Sequence, residues 1–263
     1  MPIQFPSKPG FVAYLTVGDP DLATSHAIAL AAIDAGADVL ELGVPFSDPV
    51  ADGPVIQRAS ERALRQGVSL RDVLRVAADL RRERPATGLV VFSYYNPILR
   101  LGVENFCAAA EQAGVDAVLV TDMIVEEAGD YLEALHRHRL APIFLAAPTS
   151  PDARLERIAA ASQGFVYAIS RTGITGARAQ LESDAEQLVR RLRRCTQLPI
   201  AVGFGISTPE QFAAVGEFAD AGVIGSALVA TIEQAGPQKA PAAVAEFIQR
   251  LRGSSREAVV AAR

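Results

Sequence analysis

Glu41, Asp48 and Asp52 are carboxylates set in, and just after, one short apolar run. Val39 to Leu42 has the length and composition of a buried strand. A bare charge inside such a strand is costly, so Glu41 must be paired, hydrogen-bonded or held partly protonated. The run breaks at Gly43 into a loop whose Pro45-Phe46 and Asp48-Pro49 turns, with a terminal Gly53-Pro54, fix its path. A buried Glu near a strand end, with an Asp on the rigid loop that follows, suits a division of acid and base work. The same residues also read as a strand Glu paired with an Arg and two Asp residues that form turns.

Positioning such a pair takes a scaffold, and the chain supplies a repeating one. Strand-like runs at 11–16, 38–42, 88–94, 116–121, 141–146, 164–170, 198–203 and 219–224 alternate with helix-like segments. Helices are expected at 22–35, 56–66, 70–83, 103–113, 126–138, 152–161, 183–196, 208–216 and 241–251. Eight strands, each followed by a helix, is the count of a (β/α)8 TIM barrel. Ala35-Gly36-Ala37-Asp38 and Ala113-Gly114-Val115-Asp116 repeat one pattern that ends a helix and starts a strand. No linker divides residues 1–263, so one barrel domain is expected, its core at about 10–251 and a frayed tail at 253–263. An open doubly wound sheet is the alternative, because periodicity does not report closure.

In a barrel the loops after the strands build the active site. Residues 171–182 form one such loop, polar, glycine-bearing and longer than most, which suits a lid; an ordinary surface loop is the other reading. After the seventh strand comes Gly203-Phe204-Gly205-Ile206-Ser207, where Ser207 with Glu210 fits a capping box. After the eighth, Gly225-Ser226 opens the run Ala227 to Ile232, which reads as a short extra helix. Glycine turns at these two places, beside a helix N-terminus, are a recurrent phosphate site. Neither is a dinucleotide fingerprint or a P-loop.

Composition removes other chemistries. A net charge of −5 leaves no basic footprint for nucleic acid or an anionic membrane. No apolar stretch reaches the length of a membrane span and the N-terminus has no signal pattern, so a cytoplasmic location is expected. Cys107 and Cys195 suggest neither a disulfide framework nor a metal site. The only lysines, Lys8 and Lys239, do not end a strand, so no residue is placed for a Schiff base. His26, His136 and His138 read as exposed helix positions rather than metal ligands. Carboxylate acid/base work without metal or organic cofactor remains.

The run Leu40 to Pro54 closely resembles the signature of the tryptophan synthase alpha chain family. The likeness continues through Tyr14 to Pro20, Tyr95-Asn96-Pro97, Thr172 to Arg178, Gly203 to Ser207 and Gly225-Ser226-Ala227, in order over roughly residues 10 to 250. It implies a barrel lyase that cleaves indole-3-glycerol phosphate to indole and glyceraldehyde 3-phosphate in tryptophan biosynthesis, with no cofactor in this chain. It also implies a beta chain partner, in an alpha2-beta2 tetramer, that carries pyridoxal phosphate and condenses indole with serine. By position, Glu41 resembles the family's general acid/base and Asp52 the group that holds the indole nitrogen. Tyr167, Thr175 and Gly176 would complete the site, with phosphate on Gly176, Gly205, Gly225 and Ser226. The loops at 45–52 and 171–182 resemble those that meet the beta chain.

Two departures from the family pattern bear on these expectations. The first strand comes by about residue 11, so the helix that usually precedes it is shortened away and the cover of the barrel floor is open. Met123-Ile124-Val125 replaces a Pro-Leu-Pro-like run, which touches the indole pocket wall and the partner contact. The alternatives to a partnered enzyme are a stand-alone lyase that releases indole and a catalytically weak regulatory subunit.

Overall fold

The computed structural model describes residues 3–169 and 178–261. Its strands are β1 Gly10–Thr16, β2 Val39–Gly43, β3 Gly88–Ser93, β4 Ala117–Val120, β5 Ala141–Ile143, β6 Leu145–Ala146, β7 Val166–Ile169, β8 Ile200–Gly203 and β9 Ala221–Ile224. They pair in parallel in the order β5-β4-β3-β2-β1-β9-β8-β7-β6. Only Phe144 separates β5 from β6. Ile143 registers with Leu119 of β4, whereas Leu145 registers with Tyr167 of β7. The two ends of the series are therefore halves of one strand, and the sheet closes on itself. This is the expected TIM barrel and not an open sheet. Changing neighbours is what interrupts the fifth strand.

Alternate residues face inward. Val12, Val39, Val90, Ala117, Leu119, Ile143, Phe165, Ala201 and Val223 form the interior cluster, while their neighbours in sequence pack outward on the helices. Strands buried on both faces read as unbroken apolar runs, which is why their positions were legible. The helix Tyr95–Leu101 was not expected. Pro97 lies in its first turn, where a missing N–H costs nothing. The helix Arg178–Leu192 begins inside the stretch read as a lid loop, so that loop was drawn too long. Thr175, Gly176 and the rest of 171–177 lie outside the described residues. The last helix, Ala240–Ala261, runs through the stretch read as a tail. The expected Ser207–Glu210 capping box is displaced by one residue. Pro209 takes the first helical position, so Thr208 is the N-cap and pairs reciprocally with Gln211.

The floor of the barrel is covered by the segment before β1. It forms no helix, but Ile3 is buried in the interior cluster and Phe5 meets Phe165 edge-on at 5.9 Å. Around this plug, three strands are preceded by an Asp that serves its neighbour. The Asp38 carboxylate accepts from Phe11 N–H at 2.7 Å, Asp116 from Leu89 N–H at 2.9 Å, and Asp220 from Ile200 N–H at 2.7 Å. Each also meets an arginine: Arg252, Arg81 and Arg193 respectively. The repeated sequence pattern at Asp38 and Asp116 is thus a repeated clamp, its helix ended by Gly36 or Gly114 at positive φ.

Candidate active site

β2 points Val39, Glu41 and Gly43 into the barrel. Glu41 lies opposite Tyr14 on one side and Val90 on the other. It is 1 % exposed, and among the described residues neither carboxyl oxygen has a hydrogen-bond partner. Burial without compensation pushes its pKa up to about 8. Of the three states allowed by the sequence, the structure thus selects the protonated one, and no arginine pairs with it. A carboxyl that is neutral at pH 7 can give a proton and later take one back.

The loop after β2 carries Asp52 to the same mouth. Tyr94, at the end of β3, clasps it: its O–H donates to Asp52 Oδ2 at 3.1 Å while its oxygen accepts from Ala51 N–H at 2.9 Å. Burial, then the Asp52 charge, pushes the Tyr94 pKa up to about 12, so the phenol keeps its proton for Asp52. Phe46 of the same loop lies against the Tyr94 ring, with centroids 5.0 Å apart. The Gln57 side chain donates to the Asp52 carbonyl at 2.9 Å. The half-buried Asp52 is therefore held from both sides of its loop. Asp48 instead accepts from Ser47 in an exposed position, so it is the turn former that the sequence allowed. Sequence reasoning missed Tyr94. The signal was present in the Tyr at a strand end, one residue before the Tyr95-Asn96-Pro97 motif.

Two tyrosines frame the site by one device. Tyr14 of β1 leans over β2, and Tyr167 of β7 leans over β8. In each case the hydroxyl lies above a glycine two residues beyond the registered partner. A Cβ on Gly43 would come within 2.4 Å of the Tyr14 oxygen, and one on Gly203 within 2.7 Å of the Tyr167 oxygen. Those glycines exist to admit the rings. The Tyr14 hydroxyl bonds to Thr16 Oγ1 at 3.3 Å, and its ring meets Phe92 edge-on at 5.0 Å. Tyr167 was among the expected site residues; Tyr14 was not singled out.

The turns after β8 and β9, where an anion site was expected, lie at the same end of the barrel, and β9 is the neighbour of β1. Gly225 caps the helix Ser226–Ala235 without any side-chain acceptor, and its carbonyl takes the N–H groups of Leu228 and Val229. The first N–H groups of that helix have no partner inside it and carry the positive end of its dipole. By contrast, the helix Pro209–Phe218 satisfies its own start through Thr208 and Gln211. A Cβ on Gly225 would be in ordinary contact with Tyr14 at 3.7 Å and Ile56 at 3.9 Å, so the Gly225 turn packs against the β1 tyrosine and the helix that follows Asp52. Gly205 is required by its backbone instead, at φ +86°, with no atom within 4 Å of a Cβ built there.

Met123 and Val125 pack against the outer core, and only Ile124 is exposed, so this run does not enter the interior cluster. The histidines were misjudged in part. His136 is exposed, but His26 meets Glu83 at 3.0 Å, and His138, at the end of its helix, bridges Glu111 at 2.8 Å and Glu104 at 2.9 Å. Their carboxylate partners come from other helices, which periodicity along a single helix does not reveal. Among the described residues no group of three His, Cys, Asp or Glu side chains could hold a metal ion, and no helix is long and apolar enough to cross a membrane.

The family model for the tryptophan synthase alpha chain matches residues 3–258. The alpha chain of Solibacter usitatus is 49 % identical over 228 residues, covering 87 % of this chain and 85 % of that one. That of Geobacillus stearothermophilus is 46 % identical over 246 residues, covering 92 % and 91 %. Among solved structures, the tryptophan synthase subunit alpha of Legionella pneumophila superposes with a TM-score of 0.87 at 34 % identity, covering 95 % of this chain and 93 % of that one. Tryptophan synthase from M. tuberculosis, in a ligand-free form, gives 0.83 at 37 % identity, covering 93 % and 94 %. Family model, relatives and structures agree over nearly the whole length, and the chain belongs to the tryptophan synthase alpha chain family.

Proposed function

We propose that this chain cleaves indole-3-glycerol phosphate by a retro-aldol reaction in which Glu41 moves the protons and Asp52 holds the ring nitrogen. The observation that carries the reading is the buried, unpartnered Glu41 carboxyl beside a tyrosine-clasped Asp52. Glu41 gives its proton to indole carbon 3, which needs an acid of raised pKa at neutral pH. Positive charge then develops on the ring nitrogen, and the N–H bond to Asp52 strengthens as it does. The bond from carbon 3 to the side chain breaks, its electrons remain with the ring, and the side-chain hydroxyl becomes the aldehyde carbonyl. The hydroxyl proton returns to Glu41, so the enzyme ends as it began. Phosphate sits at the Gly225–Ser226 helix start with Gly205, and Tyr167 lines the pocket between the two ends. Thr175 and Gly176, which the family resemblance also assigns to the site, lie outside the described residues.

Indole passes to a beta chain that carries pyridoxal phosphate, in an alpha2-beta2 tetramer in the cytoplasm. The proposed docking face is the rim of the mouth, where Val50 is 86 % exposed, Leu99 57 % and Ile124 43 %. These follow β2, β3 and β4, so they line one sector, and exposed apolar groups gathered in one sector suit a partner. The test incubates purified chain with indole-3-glycerol phosphate, alone and with a beta chain. Equimolar indole and glyceraldehyde 3-phosphate, released faster with the partner, are expected. Absence of cleavage in both arms overturns the proposal.

A further inference from the structure

Two helix starts meet at the mouth, and one ion network joins the helices behind them. The helix Pro54–Arg65 begins two residues after Asp52, and the helix Ser226–Ala235 begins at Gly225. On the barrel side, Ala59 of the first and Val229 of the second pack on Tyr14. On the outer side Arg62 reaches in two directions. Its Nε and Nη2 donate to both oxygens of Asp19 at 2.7 and 2.9 Å, and its Nη1 donates to Glu233 at 2.7 Å. Arg58 closes on the same Glu233 carboxylate with bonds of 2.9 and 2.7 Å.

An exposed ion pair alone is worth little. This one differs in its anchor and its shape. The Asp19 side chain is 2 % exposed, fixed in the loop after β1, and the planar two-bond forks of Arg62 and Arg58 set direction as well as distance. The carboxylate of one helix is thereby held by two arginines of the other.

We propose that Arg62 and Glu233 are positioning residues that make the Asp52 loop and the Gly225 helix start move as one body. Phosphate bound at one helix start then sets Asp52 for the indole ring. The inference rests on the roles proposed above for Asp52 and Gly225.

Equilibrium binding of indole to the purified chain, with and without saturating glycerol 3-phosphate, reads the coupling. In the native chain glycerol 3-phosphate should tighten indole about fivefold or more, the lower end of linkage between coupled sites. Glu233→Gln leaves Arg62 on Asp19, avoids a bare buried charge, and should bring that ratio close to one. Glu233→Asp keeps the charge and should restore part of it. If glycerol 3-phosphate leaves indole affinity unchanged in the native chain, the proposal fails. It fails equally if Glu233→Gln weakens both ligands with their ratio intact, since that is the signature of a mere structural clip. Asp52→Asn tests the underlying reading separately: unchanged indole affinity would remove Asp52 from the site, whatever the coupling shows.

Discussion

The two ends of this barrel treat carboxylates in opposite ways. At the floor, Asp38, Asp116 and Asp220 each accept a strand N–H and meet an arginine, so charge and lone pairs are satisfied. At the mouth, Glu41 is buried more deeply than any of the three, with no hydrogen bond to either oxygen. Satisfying a carboxylate with donors stabilises the fold, whereas leaving a buried one bare costs stability and keeps it neutral. The floor spends its carboxylates on structure. The mouth gives up stability to hold a proton where substrate will arrive.

The largest effect expected from this contrast is at Glu41. Glu41→Gln should lower turnover by at least about 10²–10⁴, the range for one general acid/base, because the residue serves two steps. Single-turnover indole release measures it, and turnover within tenfold of native would place the proton work elsewhere. The same variant tests the stability side. The folded pKa of about 8 lies above the ordinary 4.5, so the folded state holds the proton more tightly. Stability tied to that proton is full below pH 4.5 and is lost as pH rises through about 8. Glu41→Gln removes the loss and should unfold at a higher temperature than native above pH 8.

Asp116→Ala should act the other way. It leaves Leu89 N–H without its acceptor and Arg81 without its carboxylate, a loss of about 1–3 kcal/mol for the donor alone. Denaturant midpoints should fall while activity per folded molecule is kept. An unmoved midpoint would erase the distinction between the two ends. The smallest effect belongs to His138, whose pKa is raised by Glu111 and then Glu104. Its contribution is full below about 6.5 and lost as pH rises through the raised value. Melting curves of native protein and His138→Gln should therefore differ at acid pH and converge at alkaline pH. A constant difference across the range would deny His138 its charge.

What was legible in the sequence follows the same division. Strands buried on both faces declare themselves as apolar runs, and Glu41 was conspicuous because it interrupts one. Asp48 and Asp52 both stood out on a proline-fixed loop, and only the family resemblance favoured Asp52. Tyr94 and Tyr14 were harder, since an aromatic residue in a strand reads as core, and their roles depend on cross-strand neighbours. The break at Phe144 and the helix Tyr95–Leu101 were missed for related reasons. A change of strand partner leaves no periodic trace, and a proline in a first turn looks like a stop. The floor cover needed coordinates too, because Ile3 and Phe5 act through a tertiary contact without regular structure.

The clamps at Phe11, Leu89 and Ile200 also decide where the molecule breathes. Amides at the first residues of strands ordinarily exchange with solvent through small fraying motions. Here each of those protons is held by a carboxylate that is itself tied to an arginine of another element. Their deuterium uptake should wait for cooperative opening of a whole strand-helix-strand unit. Small openings are then left to the loops at the other end, where a bound ligand can act on them.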